Sequence, residues 1–201
     1  KENRFILGID CGGTDYGIAV SQTSDPTGGW HLYNFAADFS GAFFDYPHAG
    51  VGVDAIYMGS NQFGGSLPGG FEGRVFAMDK FAMYAGEATP SVVSHSTGED
   101  GTPQPMNLHG YRDGTWPKNG PHYIMTEVFD GDNHTVWSWN DPFDADTFSR
   151  GSNINLSTAT GVTAGFPVDV PQSGGSNIQS GDWRGLDTEY RNGKIWMTNT
   201  I

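Results

Sequence analysis

Short runs in which apolar and polar residues alternate recur from end to end, bounded by Gly, Pro, Asn and Asp. They predict strands over residues 4–10, 16–22, 30–36, 49–53, 55–63, 73–80, 91–96, 106–111, 122–129, 135–140, 148–156, 185–190 and 194–201. No stretch sustains a helical period. The one helical candidate, 79–86, places Phe81, Met83 and Tyr84 ahead of Gly86 and is long enough for a single turn. The pattern predicts an all-β chain.

The strands also repeat. From Tyr46 to Thr97, the small-residue strand Ala49-Gly50-Val51-Gly52-Val53 turns at Asp54 into Ala55-Ile56-Tyr57-Met58. It continues through Arg74-Val75-Phe76-Ala77-Met78-Asp79 to Ser91-Val92-Val93. Between Met106 and Ser157 the order recurs in Leu108-His109-Gly110, His122-Tyr123-Ile124-Met125, Thr135-Val136-Trp137-Ser138-Trp139 and Asn153-Ile154-Asn155-Leu156. A third round opens at Gly185-Leu186-Asp187 and Lys194-Ile195-Trp196-Met197. A period of about fifty residues with four strands is that of β-propeller blades.

The predicted architecture is a β-propeller-like arc of about three to four four-stranded antiparallel blades, in one domain over residues 1–201. It divides into a partial blade 1–45, blades 46–105 and 106–182, and a partial blade 183–201. A β-sandwich of the same strands is the alternative, and it would not require the repeat. Unfinished blades at both ends would expose strand edges, so the remainder of the same polypeptide or other chains are expected to close a larger ring. The segments 64–73 and 98–105 are expected as loops on the faces.

Composition narrows the reading. Gly 30 and Pro 11 in 201 residues suit a turn-rich chain, and 36% hydrophobic residues with 13% aromatics supply a core. The net charge of −13 repels phosphate backbones and anionic lipid surfaces, which excludes nucleic acid as a partner. No apolar run reaches the ~18 residues of a membrane span. A single cysteine, Cys11, excludes an internal disulfide framework and a cysteine-based zinc cluster. An acidic, lysine-poor chain rich in Trp, Asn, Gly and Thr is expected to be secreted and extracellular.

In the run from Ser21 to Trp30, Asp25 is placed to accept turn N–H groups and Pro26 to fix φ. Gly28 or Gly29 is expected to supply positive φ, and Trp30 to bury ring area. The run resembles the Asp-box of sialidase-like propellers with one extra residue in the spacing, and that resemblance implies a structural role. Together with Ala19-Val20, Asp45-Tyr46-Pro47, Gly50-Val51, Asn61-Gln62-Phe63 and Asp79-Lys80, it resembles a group of secreted, mostly uncharacterised bacterial β-propellers. The resemblance is clearest over residues 17–86. It implies a fold, an extracellular location and a chain that continues further, but no reaction.

Candidate ligand-binding residues stand where the first strands of successive modules begin: Asp45, Tyr46 and His48; His109, Arg112 and Asp113; and Asp187, which follows Asp182-Trp183-Arg184. In a propeller these positions converge on one face of the channel. Paired carboxylates such as Asp45 with Asp113 or Asp187 would serve glycoside cleavage. His109, Arg112 and Asp113 are the catalytic candidates, with His109 and Arg112 suited to a polyuronate lyase. For each residue, turn capping or blade-to-blade bonding is the competing structural role.

Calcium is the one cofactor suggested. Asp130 and Asp132 would bind it within Asp130-Gly131-Asp132-Asn133, although Asp-Gly is also a hairpin signal. Asn133 and Asn155 begin glycosylation sequons, usable only where the source has that pathway. Three functions remain open. The first is a carbohydrate-facing module that binds glycan or forms the non-catalytic part of a larger assembly. The second is a glycoside hydrolase or polysaccharide lyase acting at the channel, and the third a structural subunit of an extracellular polymer.

Overall fold

A computed structural model describes residues 3–108, 120–128, 132–162, 168–179 and 184–199. Over these residues the chain is all-β, in four sheets of three or four strands. Strands β1 (Ile6–Cys11), β2 (Asp15–Ser21) and β3 (Trp30–Ala36) form an antiparallel meander. A second meander follows in chain order: β4 (Phe43–Val51), β5 (Ala55–Phe63), β6 (Phe71–Asp79) and β7 (Val92–Gly98). The third sheet is built from β8 (Gly101–Pro105), β10 (His122–Glu127), β11 (Asn133–Asn140) and β12 (Thr147–Asn155). In the fourth, the hairpin β13 (Gly185–Arg191) and β14 (Lys194–Asn199) is joined in parallel by the two-residue β9 (Asn107–Leu108).

The second sheet is covered on both faces. Ile56, Met58, Phe76 and Met78 pack with Phe44 against Tyr16, Ile18 and Val20 of the first sheet. The intervening Ala55, Tyr57, Val75 and Ala77 pack against Ile124, Trp137 and Trp139 of the third. Double coverage explains why β5 opens on four consecutive apolar residues, Ala55-Ile56-Tyr57-Met58, and why every residue from Ala55 to Gln62 is buried, the polar Ser60, Asn61 and Gln62 included.

The expected face loop at 98–105 is overturned. Residues 101–105 are not part of a face loop but form β8, buried along its whole length. Pro103 and Pro105 give the segment its loop-like composition. Proline cannot donate to a ladder, and β8 lies at an edge of its sheet, where that loss is tolerated. The strand lies across the second sheet at Gly50, Gly59 and Gly73, where any side chain would overlap the carbonyl oxygens of Pro105, Pro103 and Asp100. Asn61 fixes the crossing by accepting the Thr102 N–H at 2.7 Å.

The helical candidate is confirmed as α1 (Lys80–Ala85). Asp79 caps it by accepting from the Phe81 and Ala82 N–H groups, and Gly86 ends it at φ 76°. A second single turn, α2 (Leu156–Thr160), begins at the Asn155 cap and had no counterpart in the sequence pattern. In the Asp25 turn, Asp25 Oδ1 accepts from the Thr27 N–H at 2.9 Å and the Thr27 hydroxyl at 2.7 Å. Trp30 is half-buried and donates to the Pro26 carbonyl at 3.2 Å. Neither Gly28 nor Gly29 takes positive φ; the Gly28 N–H closes the turn on the Asp25 carbonyl instead. Among the described residues no helix is long and apolar enough to cross a membrane.

Candidate functional site

Strand β4 is an edge strand, and one extra residue interrupts its pairing with β5. Asp45 pairs with Asn61 and His48 with Gly59, so three steps on β4 oppose two on β5. Pro47 sits inside this bulge, where its missing N–H costs no ladder bond. Tyr46 adopts φ 56°, a left-handed conformation that an aromatic residue rarely takes. The bulge re-aims the side chains: the Tyr46 and His48 rings meet edge to face with centroids 4.6 Å apart.

The start of β13 completes the cluster. The Arg184 guanidinium lies 4.3 Å from the Tyr46 ring centroid, a cation–π contact. Burial pushes the His48 imidazole below its ordinary pKa. The Asp187 carboxylate opposes that shift, and the Arg184 charge adds to it. His48 Nε2 is enclosed without a hydrogen-bond partner. Asp45 and Asp187 are exposed, and each carboxylate bonds the N–H of the residue that follows it. The arrangement holds a neutral, half-buried imidazole beside an aromatic ring, with two solvent-facing carboxylates at its margin.

Of the sequence candidates, the structure thus brings Tyr46, His48 and Asp187 together, and it adds Arg184. His109, Arg112, Asp113 and Asp130 lie outside the described residues. Asp132 ties α2 to the hairpin before it: Oδ1 accepts from the Ser157 N–H and hydroxyl, both at 2.8 Å, and Oδ2 from Asn155 Nδ2 at 2.6 Å. Among the described residues no group of three or more His, Cys, Asp or Glu is gathered to hold a metal ion. Asn155 is committed on both sides of its amide, since its Oδ1 also caps α2 through the Thr158 N–H. A sugar on Nδ2 would displace the Asp132 bond. The Asn133 side-chain oxygen faces the same Asn155 amide at 3.3 Å.

A second polar cluster, absent from the sequence candidates, lies between the second and third sheets. Lys80 is 4% exposed, and Nζ donates to the Gly52 and Val53 carbonyls at 2.5 and 2.7 Å. Burial pushes its pKa down to about 8, against the pull of Asp54. Tyr57 donates to Asp54 Oδ1 at 2.9 Å, and burial raises its phenol pKa. His122 stacks flat on Tyr57 with centroids 3.6 Å apart, and neither of its ring nitrogens has a hydrogen-bond partner. Burial, with Lys80 adding to it, pushes His122 down to about 3. The sequence signal was phase: His122 shares the face of Ile124 in an alternating strand, a polar residue at a core position.

No family model, curated protein or solved structure matches the chain.

Proposed function

We propose that the chain is an extracellular, carbohydrate-facing module of a larger propeller-like assembly, and that it binds neutral glycan at the β4 bulge. The observation that carries the reading is the convergence of Tyr46 and His48 with Arg184 and Asp187 across a bulge that strains Tyr46. An aromatic ring face offers apolar contact to the C–H groups of a sugar. Asp45 and Asp187 accept hydroxyl hydrogens, and the Nδ1 side of neutral His48 offers one further hydrogen-bonding position, Nε2 being enclosed. A net charge of −13 disfavours polyanionic glycans, so neutral chains are the ligand class.

The sheets support a blade reading because the first three stack face to face in chain order. Composition and the Asp-box-like turn support the extracellular location. A glycan array of neutral oligosaccharides, followed by calorimetry, tests the proposal. Tyr46→Ala is expected to weaken the best hit at least about tenfold with the fold retained. No binding at millimolar ligand would overturn it. Release of new reducing ends from the same glycans would replace binding with hydrolysis and turn attention to His109, Arg112 and Asp113.

A further inference from the structure

The fourth sheet reaches β4 through a bulge of its own. Gly185 pairs with Asn199 and Thr188 with Met197, so three steps on β13 oppose two on β14. Arg184 immediately precedes this bulge and Asp187 lies within it. The candidate site therefore stands where two irregular strand segments meet, one bringing Tyr46 and His48 and the other Arg184 and Asp187.

Gly185 is buried, and side chains of the third sheet take both of its backbone polar groups. Glu127 Oε1 accepts its N–H, and Gln104 Nε2 donates to its carbonyl at 3.0 Å. Glu127 and Gln104 are each 1% exposed, on the neighbouring strands β10 and β8. Together they present to Gly185 the acceptor and the donor that a paired strand would otherwise supply. The chain from Gln104 runs on into β9, where Asn107 pairs with Glu189 of β13 and its Oδ1 accepts the Val51 N–H of β4 at 3.1 Å. Residues 104–107 are thus tied to both strands of the site. Glycine is also what the contact requires, since a Cβ at Gly185 would lie 2.6 Å from Met197 Sδ and 3.3 Å from Glu127 Oε1.

We propose that Gln104 and Glu127 are positioning residues whose clamp on Gly185 sets where Arg184 and Asp187 stand against Tyr46 and His48, and thereby the affinity of the β4 site. The effect on affinity rests on reading the β4 bulge as a glycan site; the effect on Arg184 does not. Both side chains are buried and act through the backbone. A carboxamide oxygen accepts an N–H as a carboxylate does, so Glu127→Gln preserves the clamp, whereas Glu127→Ala leaves the buried Gly185 N–H without its acceptor. Gln104→Leu removes the donor to the carbonyl in the same way. By linkage, a ligand held across both bulges also holds Gly185 in the clamp.

Proton NMR of the whole chain tests this, with maltohexaose or cellohexaose as the neutral probe. The Arg184 side-chain protons, lying over the Tyr46 ring, should resonate upfield of ordinary arginine positions in the wild type and in Glu127→Gln. In Glu127→Ala and Gln104→Leu that upfield shift should be lost while the first-sheet resonances stay in place. Affinity should fall with it at least about tenfold, the scale of one buried group left without its partner. Bound oligosaccharide should slow hydrogen exchange at the Gly185 N–H of the wild type. Folded Glu127→Ala and Gln104→Leu proteins that keep the upfield shift overturn the proposal. So does a Glu127→Gln protein that behaves as Glu127→Ala, which would mark an effect of charge rather than of placement. If neither truncated protein folds, Glu127→Asp decides: its shorter arm should displace the Arg184 signal, and an unmoved signal overturns the clamp. A wild type that binds neither oligosaccharide counts against the glycan reading alone, and the Arg184 shift still decides the clamp.

Discussion

Among the described residues, two tyrosine–histidine pairs differ in almost everything but composition. Tyr46 and His48 meet edge to face on one bulged strand, half-exposed, with charged neighbours from β13. Tyr57 and His122 lie flat on each other between two sheets, 7° from parallel and sealed from solvent. Burial lowers the pKa of both imidazoles, but only His122 is pushed as far as about 3. The sealed pair ties stability to pH. The open pair spends backbone strain on an accessible surface, which is where binding residues are found. Identical side chains thus serve a core in one place and a candidate site in the other, and the covering of the sheets makes the difference.

The strongest way to break this comparison is acid. Between pH 6.5 and 3 the unfolded chain binds a proton at His122 that the folded chain does not, so stability falls as pH falls. The slope is about 1.4 kcal/mol per pH unit, up to on the order of 5 kcal/mol. His122→Phe keeps the stack and should remove that slope in urea titrations run across the pH range. Equal acid slopes in both proteins would show that His122 is not sealed.

Lys80→Met comes next. It strands the Gly52 and Val53 carbonyls and should cost about 2 kcal/mol at neutral pH. The wild type should also gain stability from about pH 8 to 10, where the unfolded lysine keeps a proton that the folded one has released. Tyr57, raised in the folded state, acts in the opposite direction above that window. The variant should lack the gain.

At the open pair the stability effects should be small. Tyr46→Asn, which tolerates the left-handed region, should change stability by less than about 1 kcal/mol while abolishing glycan binding. A loss of several kcal/mol would make the bulge structural. Smallest of all, calcium should move the melting temperature by less than about 2 °C, because Asp132 already bonds Ser157 and Asn155. A rise of more than about 5 °C would place an ion in the loop at Asp130 and Asp132.

Much of the framework was legible because strands and caps are local. The bounds of β3 follow from alternation and flanking turns, those of β5 from an apolar opening between turn residues, and α1 from Asp79 at its start and Gly86 at its end. Tyr46, His48 and Asp187 were legible by their place at the opening of a module, although Tyr46 and His48 lie within β4 rather than ahead of a strand beginning at Ala49. Arg184 stood beside them, but nothing local aimed its guanidinium at Tyr46. Lys80 could not be read as buried, since a lysine after a helix cap is ordinarily solvated.

The sequence alone determined that this chain is built of short strands, where most of them begin and end, and that it carries excess negative charge. Those properties depend on neighbours within a few residues. Tertiary structure decided that the Pro-containing segment 101–105 is a buried strand, that Gly50, Gly59 and Gly73 form its track, and which tyrosine–histidine pair is sealed. Each of these depends on the approach of backbones distant in sequence, and a two-residue periodicity carries no information about what will cover either face of a strand.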